Sequence, residues 1–68
     1  MAIIKIREVV GTSETSFEDA LRQIIEREIR AGKKVSGAHV VNQTVDVKDG
    51  QINEFRVDAK IAYRWEEK

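Results

Sequence analysis

Residues 52–65 read I-N-E-F-R-V-D-A-K-I-A-Y-R-W. Apolar Phe55, Val57, Ala59, Ile61, Tyr63 and Trp65 alternate there with Glu54, Arg56, Asp58, Lys60 and, after Ala62, Arg64. Period two held over that length is met by a half-buried β-strand. At ~3.3 Å per residue the strand would span roughly 46 Å. A compact chain of 68 residues has a radius of gyration of about 11 Å and a diameter of about 30 Å. The strand must therefore curl around something, protrude toward a partner, or both.

Such a chain, read as one domain over residues 1–68, is too small to bury a large share of its surface, so a lone monomer would be marginal. Small folds are commonly held by disulfides, metals or association. There is no cysteine, which excludes a disulfide framework and thiolate metal sites, and the single histidine, His39, cannot make a multi-histidine site. Association with further copies is the staple left. With 12 basic and 12 acidic residues the net charge is zero, and no basic stripe stands out, so a nucleic-acid partner is not expected. The opening M-A-I-I-K-I-R-E is broken by Lys5, Arg7 and Glu8 and does not read as a signal peptide. No apolar run reaches membrane length. A cytoplasmic location is the expectation.

The pattern predicts a first strand over 2–10, with Ile4, Ile6 and Val10 on one face and Ile3, Lys5, Arg7 and Val9 on the other, followed by a Gly11-Thr12-Ser13 turn. Ser16 suits a helix N-cap, with Asp19 three residues on, and Gly32 suits the stop, giving a helix over 17–31. Phe17, Ala20, Leu21, Ile24, Ile25 and Ile29 form its apolar stripe, and Glu18–Arg22 and Glu26–Arg30 are candidate ion pairs on the wet side. A second strand over 35–48 and the long third strand flank Asp49-Gly50, a strong two-residue hairpin signal.

Counting out from that turn sets Gln43 opposite Arg56, Val41 opposite Asp58 and His39 opposite Lys60. One face then holds Ala38, Val40, Phe55, Val57, Ala59, Ile61 and Tyr63 and meets the helix. The other collects Val35, Gly37, His39, Val41, Gln43, Val45 and Val47 with Glu54, Arg56, Asp58, Lys60 and Arg64. One helix cannot cover both faces, and the valines on the second imply that another subunit does.

The strand–helix–strand–strand order, E-V-V-G-T-S at 8–13, the Asp-Gly hairpin and F-R-V-D-A-K-I-A-Y-R-W-E at 55–66 together resemble the dodecin family over nearly the whole chain. The resemblance implies an α+β fold, β-α-β-β, with a curved three-stranded antiparallel sheet wrapped around one helix. It also implies a homododecameric shell that stores or buffers a small molecule and is not an enzyme. Family members typically bind flavins (FMN, riboflavin or the breakdown product lumichrome), and some bind coenzyme A. The flavin is held by a tryptophan early in the second strand and a glutamine in the third. Those positions fall on Gly37 and Arg56 here. A glycine offers no ring to stack on, and Arg56 puts a fixed charge where a neutral amide stands. The pattern is similar to divergent members without the tryptophan, one of them a calcium-binding dodecin.

The candidate ligand-binding set is Gly37, His39, Val41, Gln43, Arg56 and Asp58, read either as a polar pocket between subunits or as an interface network. A calcium ion needs six to eight oxygens. Asp46, Asp49, Glu54 and Asp58 would supply enough only if shared across a symmetry axis. Gly11-Thr12-Ser13 lacks the glycines and lysine of a phosphate loop. Catalysis has little support, since His39 has no evident partner and Glu54 and Asp58 are ~13 Å apart along a strand. The alternative to a small-molecule store is a metal-binding or ligand-free shell.

Overall fold

In the computed structural model, which describes residues 2–66, the alternating run is the middle of the sheet. The elements are β1 (Ala2–Ser13), α1 (Phe17–Arg30), β2 (Val35–Lys48) and β3 (Gln51–Glu66), with strand order β1-β3-β2 and both pairings antiparallel. The molecule measures 54 × 20 × 12 Å with a radius of gyration of 14.0 Å, against about 11 Å for a compact chain of this length. The long strand therefore protrudes. β1 stops at the pair Ser13↔Phe55, and beyond it β2 and β3 continue as a two-stranded ribbon to Asp49-Gly50. Both turn residues take positive φ (54° and 76°), the mirror-image turn that matches strand twist.

The helix ends follow from side-chain chemistry. Ser16 accepts the Asp19 amide at 3.0 Å. Ser13 Oγ accepts the Thr15 amide at 2.9 Å and donates to Asp19 Oδ2 at 2.6 Å, closing the turn from strand to helix. At the other end Gly32, at φ +86°, donates to Ile29 O at 3.0 Å, and Lys33 donates to Glu28 O at 3.1 Å. Those two bonds form a Schellman stop. The helix stops one residue short of the expected end, with Ala31 as the C-cap.

Three expectations are corrected. Gly11-Thr12-Ser13 is not a turn but the last stretch of β1, paired with Val57, Arg56 and Phe55. A Cβ at Gly11 would lie 2.6 Å from Ile24 Cδ1 and 3.1 Å from Ala20 O, so the glycine is there to let the helix approach the strand. On the helix, Ile29 is exposed, and Glu28 is buried in line with Ala20 and Ile24. Arg22 pairs with Asp19 at 3.8 Å rather than with Glu18, and among the described residues no Glu26–Arg30 ion pair forms.

The third correction concerns register. Asn53 is an extra residue in β3, and Val41 and Ser36 are extra residues in β2. Each such bulge shifts the pairing by one and so changes which side chains share a face. Val45 consequently stands opposite Phe55 and Gln43 opposite Val57, on the helix side, as does Val35 opposite Tyr63. Thr44 and Asn42 take the places opposite Arg56 and Asp58. His39↔Lys60 keeps the expected pairing.

The core lies between α1 and the inner sheet face: Ala20, Ile24, Val57, Ala59, Ile61 and Tyr63, with Val9, Phe17, Leu21, Ile25, Val35 and Val40 packed around them. Phe17 meets Phe55 edge-on at 5.1 Å. The buried Glu28 carboxylate lies 3.7 Å from Arg7. The Tyr63 hydroxyl is buried beside them, and burial first, then Glu28, hold its pKa above the ordinary tyrosine value.

Candidate functional site

The helix covers one side of the sheet and leaves the other open. Reading the pairings across β1, β3 and β2 lays this outer face out in rows: Ile6–Ala62–Gly37, then Glu8–Lys60–His39, then Val10–Asp58–Asn42, then Thr12–Arg56–Thr44. Ile4 lies beyond the first row, opposite Arg64. The face is thus apolar toward one end and charged along its middle. Ile4, Ile6 and Val10 are 50%, 59% and 63% exposed in the single chain. The exposed apolar surface of these rows therefore lies mainly on β1. Of the valines expected there, Val35 and Val45 are on the helix side.

The first two rows frame a shallow cavity of about 540 Å³ lined by Ile6, Gly37, Ala38, His39, Lys60 and Ala62. Its floor is apolar and flat. Gly37 has no atom within 4 Å of where a Cβ would sit, so the space above the floor is free. His39 and Lys60 form the polar rim. A planar ring with hydrogen-bonding or anionic edges fits such a slot from one side. The facing side would have to come from elsewhere.

The candidate residues separate in space. Gly37 and His39 lie in the slot. Val41 is the bulge residue, 39% exposed. Gln43 is turned to the other face by that bulge. Arg56 is drawn toward the hairpin: its Nε donates to Glu54 Oε1 at 2.8 Å, and its second contact is Asp46 at 3.7 Å. Asp46 also accepts from Asn53 at 3.0 Å. Glu54 first and Asp46 second hold the Arg56 guanidinium still more firmly protonated than usual.

Asp58 is half-buried, and its neighbour is Glu8, a residue the sequence reading did not single out. A hydrogen bond to Asp58, then the Asp58 charge, raise the Glu8 pKa above the ordinary 4.5, with Lys60 opposing. Ile6, Ala62 and Glu8 were missed because their place depends on β1 pairing with β3 across most of the chain. The shared face of Ile4, Ile6 and Val10 was visible, but not which face it was. Trp65 is on the helix side opposite Ile3, 48% exposed, with Lys5 Nζ 4.5 Å above its ring, and does not replace the missing indole. Among the described residues no group of three or more His, Cys, Asp or Glu is placed to hold a metal.

Comparison with known proteins gives a consistent picture. The dodecin family model matches residues 3–66. The dodecin of Streptomyces coelicolor is similar at 28% identity and a TM-score of 0.90, covering 98% of this chain and 96% of that one. That of Streptomyces davaonensis is similar at 27% identity and 0.89, covering 97% of each. The calcium-chelating antigen calcium dodecin of Mycobacterium tuberculosis aligns at 25% identity and a lower TM-score of 0.74, covering 97% of this chain and 91% of that one. No curated protein sequence matches.

Proposed function

The chain belongs to the dodecin family, and from that premise we propose that it is a non-enzymatic carrier whose copies join through the outer sheet face and enclose a small flat ligand between them. The observation that carries this reading is the uncovered apolar surface of Ile4, Ile6 and Val10 beside the slot over Gly37. Exposed apolar surface arranged as a patch next to charged groups is what an association face looks like before its partner arrives. A second copy laid on that face supplies the missing wall of the slot. A closed shell of twelve copies is the form expected from the family.

Within the slot, the ring of the ligand lies over Ile6, Ala62 and Gly37, and its polar edge meets His39 and Lys60. A flavin-type ring (FMN, riboflavin or lumichrome) suits the shape. Its grip is weak, because no aromatic side chain stands at position 37. A calcium ion would need oxygens from more than one copy.

Light scattering of the purified protein tests the assembly. We expect an oligomer well above the 7.8 kDa chain. Ile6→Asp, which places a charge in the centre of the patch, should reduce it to smaller species while leaving the far-UV spectrum folded. A wild-type monomer, or an Ile6→Asp protein of unchanged size, refutes the reading. Quenching of added riboflavin fluorescence reports the ligand arm, with calcium titration as the competing arm.

A further inference from the structure

One pair of groups sits awkwardly on a face that is to be buried. Asp58 Oδ1 is shielded from solvent and meets no hydrogen-bond donor among the described residues, and Glu8, one row away on the same face and opposite Lys60, is its acidic neighbour. Two ionised carboxylates offer each other only lone pairs, so they cannot hydrogen-bond. A single proton held between them removes that conflict.

The surroundings favour that proton. From β3, Lys60 stands directly opposite Glu8. Arg56, the next basic residue on the same face, is taken up by Glu54 and Asp46. From β2, His39 stands opposite Lys60 and Asn42 opposite Asp58. The helix packs on the other side of the sheet. Lys60 thus offsets two carboxylates. Covering the face with a second copy removes water, and a net negative charge left unpaired there is costly.

We propose that Glu8 and Asp58 share one proton in the assembly, and that association through the outer face takes this proton up, so that the assembly tightens in mild acid and loosens toward neutral and alkaline pH. This rests on the assembly reading above and adds a proton to it. The sign follows from linkage. Covering the face raises the proton affinity of the pair above that in the free chain, so the gain in association is complete at low pH and is lost as pH rises through the raised value in the assembly. Each proton taken up changes the association constant by at most about tenfold per pH unit, and a contact between two identical faces takes up two, giving up to about a hundredfold.

The test is the association constant from analytical ultracentrifugation between pH 5 and pH 8.5. Because His39 is the one imidazole in the chain and lies on this face, the slope is measured in a His39→Gln background, with and without Glu8→Gln. The amide of Glu8→Gln carries its hydrogens at every pH. We expect association to weaken as pH rises with Glu8 present, and a flat profile with Glu8→Gln, which is the tighter form at pH 8.5. The ¹³C chemical shift of the Glu8 carboxyl in the wild type should report a midpoint above the ordinary value. An assembly with no pH slope, one that tightens with pH, or Glu8→Gln retaining the slope overturns this proposal alone. A monomer at every pH in all variants overturns the assembly and this proposal with it.

Discussion

Gly11→Ala puts the strand–helix contact to a test in which even the sign is informative. The backbone at Gly11 is not in the left-handed region, so alanine is allowed there by conformation. If space were available, the change would stabilise the protein by about 0.4–1 kcal/mol through a less flexible unfolded chain. The structure leaves no such space. The added carbon would stand 2.6 Å from Ile24 Cδ1 and 3.1 Å from Ala20 O, where carbons need about 3.5–4 Å. Ile24 is only 8% exposed, so its side chain has little room to retreat, and the carbonyl belongs to the helix backbone. Overpacking of this kind costs about 1–3 kcal/mol. The two terms together give a net loss of about 1–2 kcal/mol, or roughly 4–16 °C in Tm for a chain of this size.

Denaturant unfolding at one fixed protomer concentration measures this, since under the proposed association the midpoint depends on concentration. Ile24→Ala removes both of the side-chain carbons that the new methyl would meet, Cγ1 and Cδ1, and alone costs about 2–5 kcal/mol. Combined with Gly11→Ala it should cost less than the sum of the two, by about 1 kcal/mol. A stabilised Gly11→Ala protein, or strict additivity in the double variant, would refute the account of why this glycine is here.

Two further outcomes are expected. Gly37→Trp has open space to enter, and the added ring should raise riboflavin affinity about 2- to 13-fold by fluorescence quenching, the equivalent of about 0.5–1.5 kcal/mol of stacking; no gain would mean that the slot does not receive a flavin ring. Hydrogen bonds from Ser13 and then Gln23 hold the Asp19 carboxyl below the ordinary value of 3.8, so its contribution is present at neutral pH and is lost as pH falls through that lowered range. Acid unfolding followed by circular dichroism should therefore be less steep in Asp19→Asn, and an unchanged acid limb would count against the Ser13–Asp19 link.

The elements were legible because their signals are local. Ser16 and Gly32 mark the helix ends, and Asp49-Gly50 marks the hairpin, each through the conformation of one or two residues. Gly11-Thr12-Ser13 misled because its composition is that of a turn, while its reason is a close approach by Ile24, 13 positions further along the chain. Glu28 was passed over because it is charged. Its burial makes sense only beside Arg7, which a different element supplies. The slot was half legible. Gly37 and His39 followed from the hairpin count, whereas Ile6 and Glu8 required the long-range register of β1 on β3.

The bulges at Asn53 and Val41 lie on opposite strands of one hairpin, so they act as a pair of compensating frameshifts. Counting from the turn is right before the first and again after the second, and off by one between them. Gly37 lies beyond both and before the third slip at Ser36, so it aligns with Ala62 in the outer-face row as the count from the turn gives. Residues 42–46 lie inside the shifted window. When roles are carried between relatives by counting along this hairpin, His39 keeps its partner, while Gln43 exchanges the outer face for the helix side. A one-residue deletion at Val41 would remove the extra residue and leave Val40 opposite Ala59 and His39 opposite Lys60. The spacing of a motif on this strand is therefore meaningful only when the bulges are counted with it.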